Sequence, residues 1–192
     1  MLGEMAVRVM GTRTFGETVQ TILDDVIAFH GAQYGTVQLP IGDKIVIAAQ
    51  RGFDPQILQM FRYVTKDDLC ACGQALRLRQ SIVVADVEKD QDYAPYRDAA
   101  KRAGFRSIQS TPFTTQDGKL IAIVSVYFAA PDRAKRSEGG AFHLYSNVAA
   151  EQAQELLGGA TIAAKAAQMS DELYSSFAGK RTSQGGEDDT IR

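Results

Sequence analysis

Cysteine is scarce in this chain. Cys70 and Cys72 are the only two among 192 residues, too few for the disulfide framework of a small secreted protein, and a reducing cytosol would keep them as thiols. Long apolar runs are missing too: nothing approaches the roughly 20 residues that cross a bilayer. Met1 to Met10 is broken by Glu4 and Arg8 where a signal peptide would stay apolar. A cytoplasmic location away from membranes is therefore expected. No long basic run is present, and 21 Lys and Arg against 23 Asp and Glu give a formal net charge of −2. Nucleic acid, whose phosphates attract a clustered cationic face, is not an expected partner. Histidine occurs only as His30 and His143. Joined with the two cysteines, they match no familiar zinc spacing, and no metal is expected. Gly139-Gly140 and Gly158-Gly159 lack the strand, helix and lysine of a phosphate loop. There is no Gly-x-Ser-x-Gly elbow either. With no complete catalytic constellation, the chain does not read as an enzyme.

What is present suits one core. At 45% hydrophobic residues, one domain is expected over 15–157, after a lead-in or frayed end over 1–14. A helical extension follows over 158–178, then a disordered tail over 179–192. Thr14 and Glu17 have capping-box spacing, and Phe15, Val19, Ile22, Leu23, Val26 and Ile27 then recur at helical spacing up to Gly31. Thr36 to Ile41 and Lys44 to Gln50 form a hairpin about Gly42-Asp43. Asp54-Pro55 starts a short helix, Gln74 to Arg79 a second, and Ser81 to Ala85 is a strand. Asp92 to Tyr96 opens a helix that stops at Gly104.

Gly104 to Phe128 is a second hairpin about Asp117-Gly118. Its second arm, Leu120 to Phe128, is nearly all apolar and needs cover on both faces. A long helix from Ser137 carries Phe142, Tyr145, Val148, Ala149, Gln152 and Leu156 inward, and Gly158-Gly159 interrupts it. Beyond, Ile162, Ala166, Met169, Leu173 and Phe177 resemble a short coiled-coil seam, which points to a homodimer. The order predicts an α+β fold, an antiparallel five- or six-stranded sheet with terminal helices on one face and short inserted helices on the other.

From about Phe15 to Leu157 the sequence resembles a GAF domain, the small-molecule sensing module related to PAS domains. Its carriers are Ala71-Cys72-Gly73-Gln74-Ala75, Val83-Val84-Ala85-Asp86-Val87, Asp92-Tyr93, Ala103-Gly104-Phe105-Arg106-Ser107, Ser110-Thr111-Pro112-Phe113 and Asp117-Gly118-Lys119-Leu120. The resemblance implies a six-stranded, GAF/profilin-like sheet, a pocket between sheet and inserted helices, and dimers through the terminal helices. It further implies a regulatory sensor of bacterial signal transduction, as in two-component systems, that acts on a histidine kinase or other effector. Bilin-binding GAF domains attach pigment through a cysteine commonly followed by histidine, whereas Ala71 follows Cys70 and Gly73 follows Cys72. The cyclic-nucleotide branch carries an Asn-Lys…Phe…Asp-Glu signature, and Asn147 is the only asparagine here. Neither cofactor is supported. The free methionine-(R)-sulfoxide reductases have a Cys-Gly step resembling Cys72-Gly73, but their further cysteine has no counterpart after Asp86-Val87.

Eight residues are expected around the unidentified small molecule: Tyr63, Cys72, Asp86, Tyr93, Tyr96, Arg106, Ser107 and Ser110. The Arg106 guanidinium would clamp a carboxylate or phosphate, or else pair with Asp86 at the sheet edge. Strand alternation puts Ser107 with Gln109 on one side and Arg106, Ile108 and Ser110 on the other, so Arg106 and Ser110 are expected together. Cys70 and Cys72 are the candidates for a redox pair, against a reading as two small half-buried residues. Asp24-Asp25 and Asp67-Asp68 read as solvated acids. A third possibility is a dimerisation scaffold whose pocket apolar side chains have filled.

Overall fold

The computed structural model describes residues 1–134 and 140–182, with side chains to 177. Helix α1 (Leu2–Met10) and helix α2 (Phe15–His30) lead into the hairpin β1 (Tyr34–Ile41) and β2 (Lys44–Arg51). Helix α3 (Pro55–Met60), strand β3 (Tyr63–Thr65), helix α4 (Ala71–Leu78) and strand β4 (Ile82–Val84) follow. A 3-10 turn (Ala94–Tyr96) runs into α5 (Arg97–Ala103), then come β5 (Ser107–Thr114), β6 (Leu120–Phe128), α6 (Gly140–Glu155) and α7 (Ile162–Thr182). Ser137, the expected start of the long helix, lies outside the described residues, as do residues 183–192 of the expected tail, whereas residues 179–182 of that tail continue α7.

The sheet has six strands in the order β3-β2-β1-β6-β5-β4, with every neighbouring pair antiparallel. Both expected hairpins are present, and Gly42 and Gly118 hold the positive φ angles of +62° and +86° that their turns require. As anticipated from its composition, β6 runs through the middle and is covered twice. Val124, Val126 and Phe128 pack with the terminal helices, while Ile123 and Tyr127 belong to the opposite cluster with α4, α5 and the loops around them. The Thr14–Glu17 capping box forms, and α2 lies so close to β1 that a side chain at Gly35 would meet Ile27 and Leu23.

Three expectations change. Residues 1–12 are not a frayed lead-in: α1 buries Met5 and Val9 against the core and packs on α6. Leu2 and Ala6 pack beside them half-buried, so the inward face is a short i, i+3, i+4, i+7 stripe in a helix of only nine residues. Asp25 is not a solvated acid; it is 4% exposed. It accepts hydrogen bonds from Arg8 at 2.9 and 2.6 Å and from the Tyr145 hydroxyl at 3.0 Å, which ties α1, α2 and α6 together. The stripe on α7 is not an open seam. Ala166 is fully buried, Ile162 and Met169 pack on the shared core, and the helix lies across β1 and β2 of its own chain. Gly158 and Gly159, both with positive φ, make the turn that folds α7 back onto the sheet.

Candidate functional site

The face of the sheet away from the terminal helices has a polar floor. Thr36 and Gln38 of β1, Ser110 of β5, and Ser125 and Tyr127 of β6 share it. The Ser110 and Ser125 hydroxyls are 2.7 Å apart, and the Thr36 and Tyr127 hydroxyls 3.4 Å. Above lies an aromatic roof: Phe53 meets Tyr127 edge-on at 4.8 Å, Phe105 meets Tyr127 at 5.0 Å, and Tyr93 meets Tyr96 at 5.4 Å. Ile57, Leu58 and Phe61 from α3 and its C-terminal end complete the cover, and Cys70 and Cys72 form the wall at the start of α4. Two small cavities remain, each about 10 Å³, with Phe61 and Tyr127 lining both. Each has room for about one water.

Gln38 is 1% exposed, and its carbonyl oxygen Oε1 has no hydrogen-bond partner among the described residues. Its side chain also reaches Cys72. A buried carbonyl without a donor is costly, so this atom marks where the chamber is chemically incomplete.

The thiols are 3.5 Å apart. Cys70 caps α4 and Cys72 lies in its first turn, both buried. The hydrogen bond from Cys72, helped by the Gly73 amide, draws the Cys70 thiol below its ordinary value. Donating that hydrogen bond, together with burial, pushes Cys72 well up. Cys70 is thus the more acidic of the two thiols. Gly73 beside them is obligatory: a Cβ there would strike the Asp68 carbonyl oxygen and come within 2.8 Å of that of Thr65. Asp68 itself is no solvated acid, since its carboxylate closes the turn by accepting from the Thr65 amide at 2.7 Å and hydroxyl at 2.9 Å. It also accepts from the Tyr96 hydroxyl at 3.4 Å. Tyr96 is pushed up to about 12, first by burial and then by its acidic neighbours.

Of the eight expected ligand residues, Cys72, Tyr93 and Ser110 line the cavities, and Tyr96 packs at a tilt against Phe61 and Tyr93. The other four do not join them. Tyr63 is 53% exposed on the edge strand β3. Ser107 faces the other side, donating to the Ala130 carbonyl at 2.8 Å. Arg106 and Ser110 are parted because Arg106 precedes the strand and turns outward to Asp86, which it grips at 2.9 and 3.0 Å through Nη2 and at 3.1 Å through Nε. Glu88 also stands 3.2 Å from Arg106. Phe53, Phe61, Phe105, Thr36, Gln38 and Tyr127 were missed. Thr36 and Gln38 carried a signal, polar residues alternating with Val37 and Leu39 in a strand covered on both faces. The aromatics come from separate loops and carried none.

Among the described residues no group of three or more His, Cys, Asp or Glu could hold a metal. His30 contacts Phe142 on the terminal-helix side, across the sheet from the thiols. No described helix is long and apolar enough to cross a membrane.

The family model described as the GAF domain matches residues 12–163. The chain belongs to the GAF domain family. Its fold is similar to a GAF sensor protein from Burkholderia vietnamiensis, with TM-score 0.62 at 17% identity over 81% of this chain and 92% of that one. Free methionine-R-sulfoxide reductase from Neisseria meningitidis, solved with its substrate, gives 0.58 at 16% over 87% and 88%. A domain of a two-component sensor histidine kinase from Sinorhizobium meliloti gives 0.55 at 14% over 74% and 90%. A search of curated proteins finds no match. At these identities the likeness is one of fold, and the chemistry has to come from this GAF domain's own residues.

The Asp86–Arg106 pair makes a pH prediction. Burial opposes the Asp86 charge, but hydrogen bonds from Arg106 and the Glu88 amide outweigh it and hold the carboxyl below its usual range. A lowered folded-state value stabilises above the unfolded value of about 3.9 and is lost as pH falls through the folded one. Asp86→Asn should therefore melt below wild type at neutral pH, with the gap closing in acid below about pH 4. Thermal melts across pH check this, and a pH-independent gap would exclude the ionic contribution.

Proposed function

We propose that this GAF domain is a regulatory sensor that takes a small polar molecule into the chamber between polar floor and aromatic roof, and passes the event to α7. The buried Gln38 carbonyl without a donor carries the reading, because a ligand N–H or O–H would satisfy it. A route outward exists. Leu58 lines the chamber, and its backbone carbonyl accepts the Tyr174 hydroxyl of α7 at 2.8 Å. Arg62, just after α3, lies 4.5 Å over the Tyr174 ring and reaches Asp171 at 3.4 Å. With cavities sized for single waters, a larger ligand must lift α3 and the Phe61 side chain, and that displacement pulls on α7. Ligand binding then shifts the helix only to the extent that the ligand prefers the lifted arrangement.

Thermal-shift screening with mass spectrometry of co-purified molecules should identify a stabilising ligand. Gln38→Leu should weaken its binding by about tenfold, the scale of one hydrogen bond to a buried group. Tyr174→Phe should keep binding but lose the ligand-dependent change in α7 amide exchange. A screen that finds no ligand, or an α7 response unaltered by Tyr174→Phe, would remove the corresponding half of the proposal.

The 3.5 Å thiol separation favours a second reading, a dithiol switch or reductase. Attack of the Cys70 thiolate on a peroxide or sulfoxide oxidant, followed by Cys72, yields one disulfide. Two protons and two electrons pass to the oxidant, which leaves as water, or as thioether plus water. Under this reading peroxide removes about 2 Da from the intact mass, and Cys70→Ser or Cys72→Ser abolishes the loss. Reduction of free methionine sulfoxide that survives Cys70→Ser would exclude the pair as its electron source.

The homodimer we propose forms on α1 and α6 rather than α7, since Val7 is 67% and Leu144 62% exposed on these packed helices. Leu144→Glu should shift the mass in light scattering toward the monomer, and an unchanged dimer would place the interface elsewhere. The effector is a kinase or other output module, as in the proteins in which similar domains sit.

A further inference from the structure

A second recess lies at the opposite end of α4 from the thiols. It is an open groove of about 850 Å³ between the β1–β2 turn, the β5–β6 turn and the C-terminal end of α4. Four cations line it, Lys66, Arg77, Arg79 and Lys119, against one carboxylate, Asp43. That balance is unusual in a chain with net charge −2, and no run of sequence announces it, because the four come from three separate segments.

None of the four is in a salt bridge with a carboxylate among the described residues. Their hydrogen bonds go to neutral groups, Arg77 donating to the Lys66 carbonyl at 3.0 Å and Lys119 to Gln154 at 2.6 Å, and only Lys119 also feels a nearby carboxylate, Asp117, with which it makes no salt bridge. The dipole at the end of α4 favours Arg77 and Arg79 there, but it does not account for Lys66 and Lys119 on other segments. Arg79 is also held at φ +54°, ψ +34°, a left-handed conformation usually left to glycine at a helix end. An arginine at a position that strains it fits a side chain needed for what it binds. Between the cations, Leu76 and Leu120 offer an apolar wall.

We propose that this groove binds a small polyphosphate-bearing molecule, either a nucleoside polyphosphate or inorganic polyphosphate. Several unpaired cations converging on one volume are the complement of such a ligand, with the arginines matching its oxygens two at a time. The volume lies within the range of small-molecule sites. The groove shares no lining residue with the chamber above, and its ligand is proposed whether or not that chamber binds one.

The test is calorimetry and thermal shift of the full chain with tripolyphosphate and, separately, a nucleoside triphosphate, at about 0.1 M salt where surface attraction is largely screened. Saturable binding near one equivalent is expected. Affinity similar for both ligands assigns the site to the phosphates alone, and tighter nucleotide binding assigns the base to the Leu76–Leu120 wall. The double change Arg79→Gln with Lys119→Gln, at two exposed positions, should leave the melting temperature unchanged and weaken binding by about tenfold or more. Arg79→Gly is the sharper variant. It relieves the left-handed strain and should raise the melting temperature while weakening binding. Absence of saturable binding by both ligands, or affinity undiminished in both variants, would overturn the proposal.

Discussion

Strand β6 sets the terms for the rest of the molecule. Apart from Ser125 and the Tyr127 hydroxyl its residues are apolar on both faces, and it is hydrogen bonded to β1 and β5, so both faces and both edges need cover from water. Two separate layers must therefore be built. The chain uses its ends for one, α1, α2, α6 and α7, and its middle for the other. The division of labour follows from this geometry. The terminal-helix layer is packed with Val, Ile, Leu, Phe and Ala and is tied by the buried Asp25 cluster. The layer made from short helices and loops has to accommodate Thr36, Gln38, Ser110 and Ser125 on the sheet surface, and it does so imperfectly at Gln38.

That imperfection sits beside a weak mechanical joint. α3 is six residues long and covers the chamber with few buried side chains, Ile57 and Leu58. A single hydrogen bond contributes about 1 kcal/mol net, so the Tyr174–Leu58 contact biases α7 without locking it. A joint of this strength is what a sensor requires. A much stronger tie would cost a ligand more than its differential affinity supplies, and none at all would leave α7 indifferent to the chamber.

The sequence made the scaffold legible because local rules agree there with the tertiary result. The capping box at Thr14, the glycines at 31, 42, 104 and 118, and the nearly all-apolar β6 each had one structural meaning, and each took it. The site was less legible, for reasons that particular residues make plain. Arg106 was sorted by strand alternation, yet it stands before the strand begins, where alternation does not apply, and a bidentate partner in Asp86 decided its direction. Ser107 lies in the strand and obeyed alternation. Phe53, Phe61 and Phe105 reach the roof from three separate places in the chain, and only the closed fold makes them neighbours. The α7 stripe was read as a seam between chains, and it packs instead on the core of its own chain through Ile162, Ala166 and Met169. Periodicity reports that a face is covered, not by which chain.

Helix α4 stands between the chamber and the cationic groove. Its first turn carries the thiols and the wall of the chamber, and its last turn carries Arg77 and Arg79, while Gly73 fixes the helix against the Thr65–Asp68 turn with no space for adjustment. At eight residues the helix is about 12 Å long and too short to bend appreciably. An event that displaces one end must therefore displace the other or break the seat at Gly73. If both ends bind ligands, their affinities are coupled through that rigid displacement, and coupling of this kind is reciprocal. Oxidation of the thiols would act on the same lever, because drawing two sulfurs from 3.5 Å to bonding distance must move the cap residue Cys70 relative to the first turn. Because the thiols stand at one end of α4 and Arg77 and Arg79 at the other, the proposed chamber and groove share one short rigid element, and any coupling between them runs through it.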